Sequence, residues 1–411
     1  MRSHTTRALG ILALSAVLAG CGSASTVKGG PIAEDSSRSC PQAVLATLGS
    51  VLHRVYREGV SSERTDIAKH YIATSVPLRE AVLRGDPAAT SAAATALVAT
   101  GHLTNLRIVK GSQVLADVGG AALTPIHGTI TGPGGAPIAT YVTSVWSDSG
   151  FLAEGAGVAE GSVALLEKGA SVGGSTALTS RPPAREGTLS KGATVYQYTS
   201  FGGEAYPSGA LRVYLLRPVH STDALCGATA QDTVVNTLKR VAHLIYEGEA
   251  GRRTLTQVQR VQSNQPLLEA VAHRDPAATK TAVEALLNQH IVRLRVSTAG
   301  GHLLVDDGGP YVLAPVTAPL TLGGKTIGSF VLSIQDDEGY LRLTKRLAGL
   351  HVLMYMGSAL VKNSLGPSPG SVPASGTYTY RGQSFRVFTV HAHAFPSGPL
   401  VVRVLVPIPY S

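Results

Sequence analysis

Cysteine, charge, aromatic side chains and long apolar runs are all scarce in this chain. Three cysteines among 411 residues exclude a disulfide-dense scaffold. Charged residues make up 15%, against about 25% in an average globular protein. Beside 44% hydrophobic residues, that share excludes wholesale disorder and leaves ample Val, Leu, Ile and Ala for real cores. No apolar run reaches the roughly 18 residues that a membrane-spanning helix needs. The motifs of common enzymes are missing too: no His-Glu-x-x-His, no Gly-x-Ser-x-Gly, no phosphate-cradling Gly-x-x-x-x-Gly-Lys and no Cys-x-x-Cys. Ser25-Thr-Val-Lys28 has the Ser-x-x-Lys spacing but lies in a polar tether, and Gly155-Ala-Gly157 falls in a predicted helix. The reading is non-enzymatic, with no catalytic residue and no cofactor.

What is present begins at the N-terminus. Arg2 and Arg7 precede an apolar stretch from Ala8 to Ala19, too short to span a membrane and right for a secretory signal. It ends in Leu18-Ala19-Gly20-Cys21, which resembles a bacterial lipobox. The expected mature chain starts at a lipidated Cys21 and is anchored by its acyl chains on the extracytoplasmic face of the cell membrane. Residues 1–20 are then the signal peptide, and 21–39 carry the lipid and a flexible Gly, Ser and Thr tether. The formal net charge of +9 favours anionic headgroups or acidic wall polymers. Its scatter, with no basic stripe, argues against nucleic acid.

The chain repeats itself. Leu78 to Thr90 returns as Leu267 to Thr279 with nine of thirteen positions identical, at an offset of 189. The same offset, within one residue, relates Asp117-Val-Gly-Gly120 to Asp306-Asp-Gly-Gly309 and Asp148-Ser-Gly-Phe151 to Asp337-Glu-Gly-Tyr340. Late in each half, Tyr206-Pro-Ser-Gly209 corresponds to Phe395-Pro-Ser-Gly398. Solenoid units run only about 20–50 residues, so these are two globular copies, 40–220 and 221–411.

Each copy opens with helices. Val44, Leu48, Val51, Leu52 and Val55, echoed by Val234, Leu238, Val241 and Ile245, recur at helical spacing. A second helical region is interrupted at Pro77 and Pro266, and a third starts at Asp86-Pro87 and Asp275-Pro276, where Asp caps and Pro fits the first turn. Hairpin signals follow, giving helices and then an antiparallel sheet, an α+β pattern. The junction Leu-x-Glu-Ala-Val-x-x-x-Asp-Pro, the strand into Leu303-Leu-Val-Asp-Asp-Gly-Gly309, and the strands Gly324–Ile334 and Gly349–Gly357 together resemble the Cache family. These are PAS-like extracytoplasmic sensor modules, and the resemblance covers nearly all of 41–411. It implies two tandem Cache-like domains, each with N-terminal helices and an antiparallel sheet. Family receptors carry transmembrane helices and a cytoplasmic output domain, which this chain lacks, so a sensor of this kind needs a partner. The aromatic-Arg-Asp pattern of the amino-acid-binding members is absent. The resemblance also implies that both ends of a domain lie together, so Cys40 and Cys226 could bridge; two free thiols are the alternative.

Few side chains suggest chemistry. His391 and His393 alternate on a strand, but two imidazoles make no closed metal site, and solvent-facing positions fit them better. Met354 and Met356 fit a core. Asp336-Asp337-Glu338 and its counterpart Asp148 fit a helix N-cap, and Asp306 with Asp307 fits turn chemistry. Arg293 and Arg295 alternate with Val292, Leu294 and Val296, so they leave the core and are available to grip a carboxylate. Ligands of such sheets lie between the sheet and its covering loops. That makes Tyr311, His351, Tyr355 and the irregular stretches 170–188 and 363–377 the candidate ligand site. The functional expectation is a lipoprotein that binds a small molecule and signals through a membrane or envelope protein. The alternatives are a structural or protein-interaction lipoprotein without a ligand and a wall-polymer-binding module.

Overall fold

A computed structural model describes residues 38–174, 178, 181–207, 209–248, 252–287 and 291–410. The expected signal peptide, Cys21 and the tether up to residue 37 lie outside the described residues. Copy one opens with α1 (Cys40–Arg57), α2 (Glu63–Thr74), α3 (Val76–Arg84) and α4 (Pro87–Ala99). Then come β1 (Asn105–Lys110), β2 (Gln113–Gly119), β3 (Ala122–Leu123), β4 (Ile126–Thr131), β5 (Pro137–Ser144) and β6 (Trp146–Ser147). After α5 (Asp148–Ala159) it closes with β7 (Ser162–Glu167), β8 (Ala170–Gly174), β9 (Glu186–Lys191), β10 (Thr194–Tyr206) and β11 (Gly209–Pro218).

Copy two repeats the order: α6 (Ala230–Gly248), α7 (Arg252–Gln262), α8 (Gln265–His273) and α9 (Pro276–Leu287). Its strands are β12 (Arg293–Thr298), β13 (Leu303–Gly308), β14 (Tyr311–Leu313), β15 (Val316–Leu322), β16 (Lys325–Ser333) and β17 (Gln335–Asp336). α10 (Asp337–Ala348) leads into β18 (His351–Met356), β19 (Ala359–Asn363), β20 (Gly376–Tyr380), β21 (Gln383–Pro396) and β22 (Gly398–Ile408). The architecture is α+β, with one order of elements used twice in tandem. Where the pattern implied one antiparallel sheet per copy, the strands divide between two. The upper sheets run β2-β1-β5-β4 and β13-β12-β16-β15. The lower sheets run β6-β3-β10-β11-β7-β8 and β17-β14-β21-β22-β18-β19, with β9 on β10 and β20 on β21.

Local chemistry places the helix starts. Asp86 Oδ1 accepts from the Ala89 amide at 3.0 Å, and Asp275 Oδ1 from the Ala277 and Ala278 amides at 2.9 and 3.0 Å. The expected capping role holds for Asp336 and is corrected for Asp148 and Asp337. The caps of α5 and α10 are Ser147 and Asp336, which accept from Gly150 and Gly339. Asp148 and Asp337 are the first helical residues, and burial pushes both carboxyls above their ordinary range. Burial wins there because the opposing cation, Lys362, stands 4.0 Å from Asp337.

The helices α1, α5, α6 and α10 form a layer between the two lower sheets. Val51 and Leu52 of α1, Val241 of α6, Ala348 of α10 and Val213 and Val404 of the sheets belong to one continuous core. The contacts are reciprocal: α1 packs on α6 and α10, while α6 packs on α1 and α5. Each upper sheet keeps a separate core, around Leu106 and Ile108 in copy one and around Leu294 and Phe330 in copy two. Cys40 and Cys226 form a disulfide with Cα atoms 5.6 Å apart, joining the start of α1 to the segment between β11 and α6. Among the described residues no helix is long and apolar enough to cross a membrane.

Candidate functional site

Strand alternation on β18 sends Val352 and Met354 into the central core and His351, Leu353 and Tyr355 to the opposite face. That outer face is completed by Phe385 and Val387 of β21 and Leu405 of β22. Residues 364–375, between β19 and β20, fold across it and seat Leu365 and Val372 on the sheet. Val372 is only 1% exposed. The cover is fastened by its carbonyls. Tyr380 Oη donates to Pro367 at 2.7 Å, Thr389 Oγ1 to Ala374 at 2.6 Å, Tyr378 to Pro369, and Arg403 to Val372. His351 Nδ1 lies 2.9 Å from the Ser364 carbonyl, and Phe385 meets the imidazole edge-on. Burial holds that imidazole below its ordinary value, although the Ser364 bond works the other way.

Among the described residues, two polar atoms inside this enclosure are left over. The Tyr355 hydroxyl and Arg403 Nε are buried without a hydrogen-bond partner, and the guanidinium carbon of Arg403 stands 4.5 Å from the Tyr355 ring centroid. Buried polar atoms are nearly always satisfied, so a guanidinium edge and a phenol beneath a loop form a donor pair suited to a small polar molecule. Copy one has Tyr214 in place of Arg403, Leu166 in place of Tyr355 and Ser162 in place of His351. Its outer face is an apolar plug of Leu166, Leu178, Tyr198 and Tyr214.

The expected residues therefore separate into two groups. His351, Tyr355 and the 363–377 stretch come together under the cover. Tyr311, Arg293 and Arg295 lie at the junction between the upper and lower sheets, where Tyr311 pairs with Pro396. The two arginines are not free for a ligand carboxylate, which corrects that expectation. Arg293 Nε donates to Asp306 Oδ1 at 2.8 Å and Arg295 Nε to Oδ2 at 2.9 Å. Both guanidiniums lie over the ring of Phe395. Burial opposes ionisation of Asp306, yet the two guanidiniums hold its carboxyl below the ordinary range. Asp306 is thus the centre of a clamp rather than a turn residue. Copy one has a reduced form, in which Arg107 and the Tyr206 hydroxyl meet Asp117 and Asn105 stands in place of Arg293. His391 and His393 are exposed, and Met354 lies in the core. Among the described residues no group of three His, Cys, Asp or Glu side chains could hold a metal.

No family model and no curated protein matches the chain. Several solved structures do. The ligand-binding domain of the Pseudomonas fluorescens chemoreceptor CtaA, in complex with L-alanine, is 15% identical over 40% of this chain and 96% of its own, with a TM-score of 0.20. An extracellular ligand binding receptor from Desulfohalobium retbaense is 11% identical over 55% of this chain and 47% of its own, at 0.22. Scores this low leave the description of the fold to rest on the topology itself.

Proposed function

We propose that the chain is a non-enzymatic, membrane-anchored extracytoplasmic lipoprotein of the sensor type. Its copies 40–220 and 221–411 differ in task. Copy two takes a small polar ligand beneath 364–375 and reports it to a membrane or envelope partner, while copy one serves as a scaffold. The buried, unpartnered Tyr355 hydroxyl and Arg403 Nε support this reading above all. Those donors favour a ligand with carbonyl or carboxylate oxygens. The Cys40–Cys226 bridge supports an oxidising, extracytoplasmic compartment.

The experiment is thermal unfolding of residues 22–411 against carboxylates, amino acids, amines, nucleosides and divalent metals. A ligand at 100 times its Kd stabilises the fold by about 2.7 kcal/mol, a readily measured rise in midpoint. Arg403→Gln should abolish the rise, while Tyr214→Phe in copy one leaves it intact. The plugging of the same face by Val372 and, in copy one, by Leu178 favours a second reading, a structural or protein-interaction lipoprotein. Silence across the panel selects that reading. Anchoring is tested separately: Cys21→Ser should move the protein from the membrane to the soluble fraction.

A further inference from the structure

The clamp of copy two and its reduced form in copy one differ by one guanidinium. Arg293 Nε donates to Asp306 Oδ1 at 2.8 Å, with Nη2 2.7 Å from the same oxygen. Its Nη1 donates to the carbonyls of Gly308 and Gly309 at 3.0 and 2.7 Å, and its guanidinium carbon stands 5.6 Å from the Phe395 ring centroid. A carboxylate, two glycyl carbonyls and an aromatic face thus receive one side-chain head, and all suit a planar cation.

Copy one keeps the receiving groups and changes the side chain. Asp117 stands for Asp306, Gly119 and Gly120 for Gly308 and Gly309, and Tyr206 for Phe395. The backbone bearing the carbonyls runs the same course. Gly119 and Gly308 have φ of 94° and 120°, and the Gly120 and Gly309 amides bond the carbonyls of Thr104 and Val292. A Cβ at Gly119 or Gly308 would stand 2.4 or 2.3 Å from those carbonyl oxygens, so both positions require glycine. Asn105, cross-strand from Gly119 and on the face of β1 that carries Arg107, is too short to reach Asp117 as Arg293 reaches Asp306. It is 0% exposed, and among the described residues neither end of its amide has a hydrogen-bond partner, a costly state for a buried amide. Asp117 meets one guanidinium where Asp306 meets two, and the Tyr206 hydroxyl on its other oxygen brings no charge. The side chains of Arg107 and Asp117 are 37% and 45% exposed, so the place opens to solvent.

We propose that copy one binds a small guanidinium compound between Asp117, the Gly119 and Gly120 carbonyls and the Tyr206 ring, at the position that Arg293 fills in copy two. The Asn105 amide oxygen accepts one of its N–H groups. Bound there, the cation ties β1 and β2 of the upper sheet to β10 of the lower one and braces the scaffold half. The site is separate from the one beneath 364–375.

The test is calorimetric titration of residues 22–411 with methylguanidinium at constant ionic strength, which should show one saturable site. Methylammonium should bind about tenfold more weakly, because a point charge cannot meet the carboxylate and both carbonyls in one plane. Asp117→Asn should weaken methylguanidinium about tenfold, and its exposed position makes it a sound variant should Asn105→Arg not fold. Asn105→Arg should abolish binding, since the chain then supplies the guanidinium itself, and Arg293→Asn should add a second site in copy two. Arg403→Gln should leave the titration unchanged, which separates this site from the covered one. No saturable binding, binding that survives Asn105→Arg or Asp117→Asn, or an equal response to methylammonium would overturn the proposal. So would a peptide with a central arginine that binds more tightly than methylguanidinium, since the occupant would then be a partner protein.

Discussion

Asp306 shows how a single carboxylate can be held ionised in a half-buried place. Two guanidiniums bond its two oxygens and cap the ring of Phe395. Its folded-state value lies below its unfolded one, so the stability it contributes is present above the unfolded value, about 3.9, and is lost as pH falls through the folded value. Asp306→Asn should therefore cost about 2 kcal/mol at pH 7, read from the urea midpoint, with the difference shrinking below pH 4. An equal midpoint at both pH values would remove the clamp from the account. Sequence alternation correctly took Arg293 and Arg295 out of the core, but period two gives a face and not a neighbour. Which carboxylate stands opposite is set by strand register, and only the folded sheet supplies that. That 364–375 lies over the outer face of β18 was legible only as an irregular Gly, Ser and Pro stretch after a strand. Arg403 was missed, although one arginine within Val401-Val-Arg-Val-Leu405 is the sort of isolated polar position that marks such a place.

At the scale of elements, helix boundaries followed from caps and prolines, and α3 and α8 begin where Pro77 and Pro266 implied. The division into two sheets was hidden, because alternation reads the same whether successive hairpins share a sheet or not. The short strands β3 and β14 decide it, crossing from the upper sheet to pair with β10 and β21. The bridge at the head of α1 acts on a comparable scale. It closes a loop spanning 186 residues, and in the chain-entropy model such a closure is worth about 5 kcal/mol. Cys40→Ser with Cys226→Ser should lower the denaturant midpoint accordingly and remove its sensitivity to reductant. A midpoint already insensitive to reductant in the unaltered protein would mean that the thiols are free in solution.

The whole molecule has one centre and two outlying lobes. The core shared by the lower sheets and the layer of α1, α5, α6 and α10 crosses from copy to copy, so the centre should open as one cooperative unit. Native-state hydrogen exchange should give one highest-energy class containing amides of β10, β11, β21 and β22 together. The upper sheets, with their own cores, should fall into two less stable classes. Exchange that separates β11 from β22 would instead show two independently folding copies. The reciprocal packing of α1 on α6 also has the form of a symmetric dimer interface, drawn within one chain. In a true homodimer every substitution is made twice, and each novelty must be tolerated on both sides of the axis. Here it is made once. Trp146 stands where copy two has Gln335, and Tyr214 stands where it has Arg403. Joined in one chain, each half is free to change without its counterpart, and Tyr214 against Arg403 is a change of that kind.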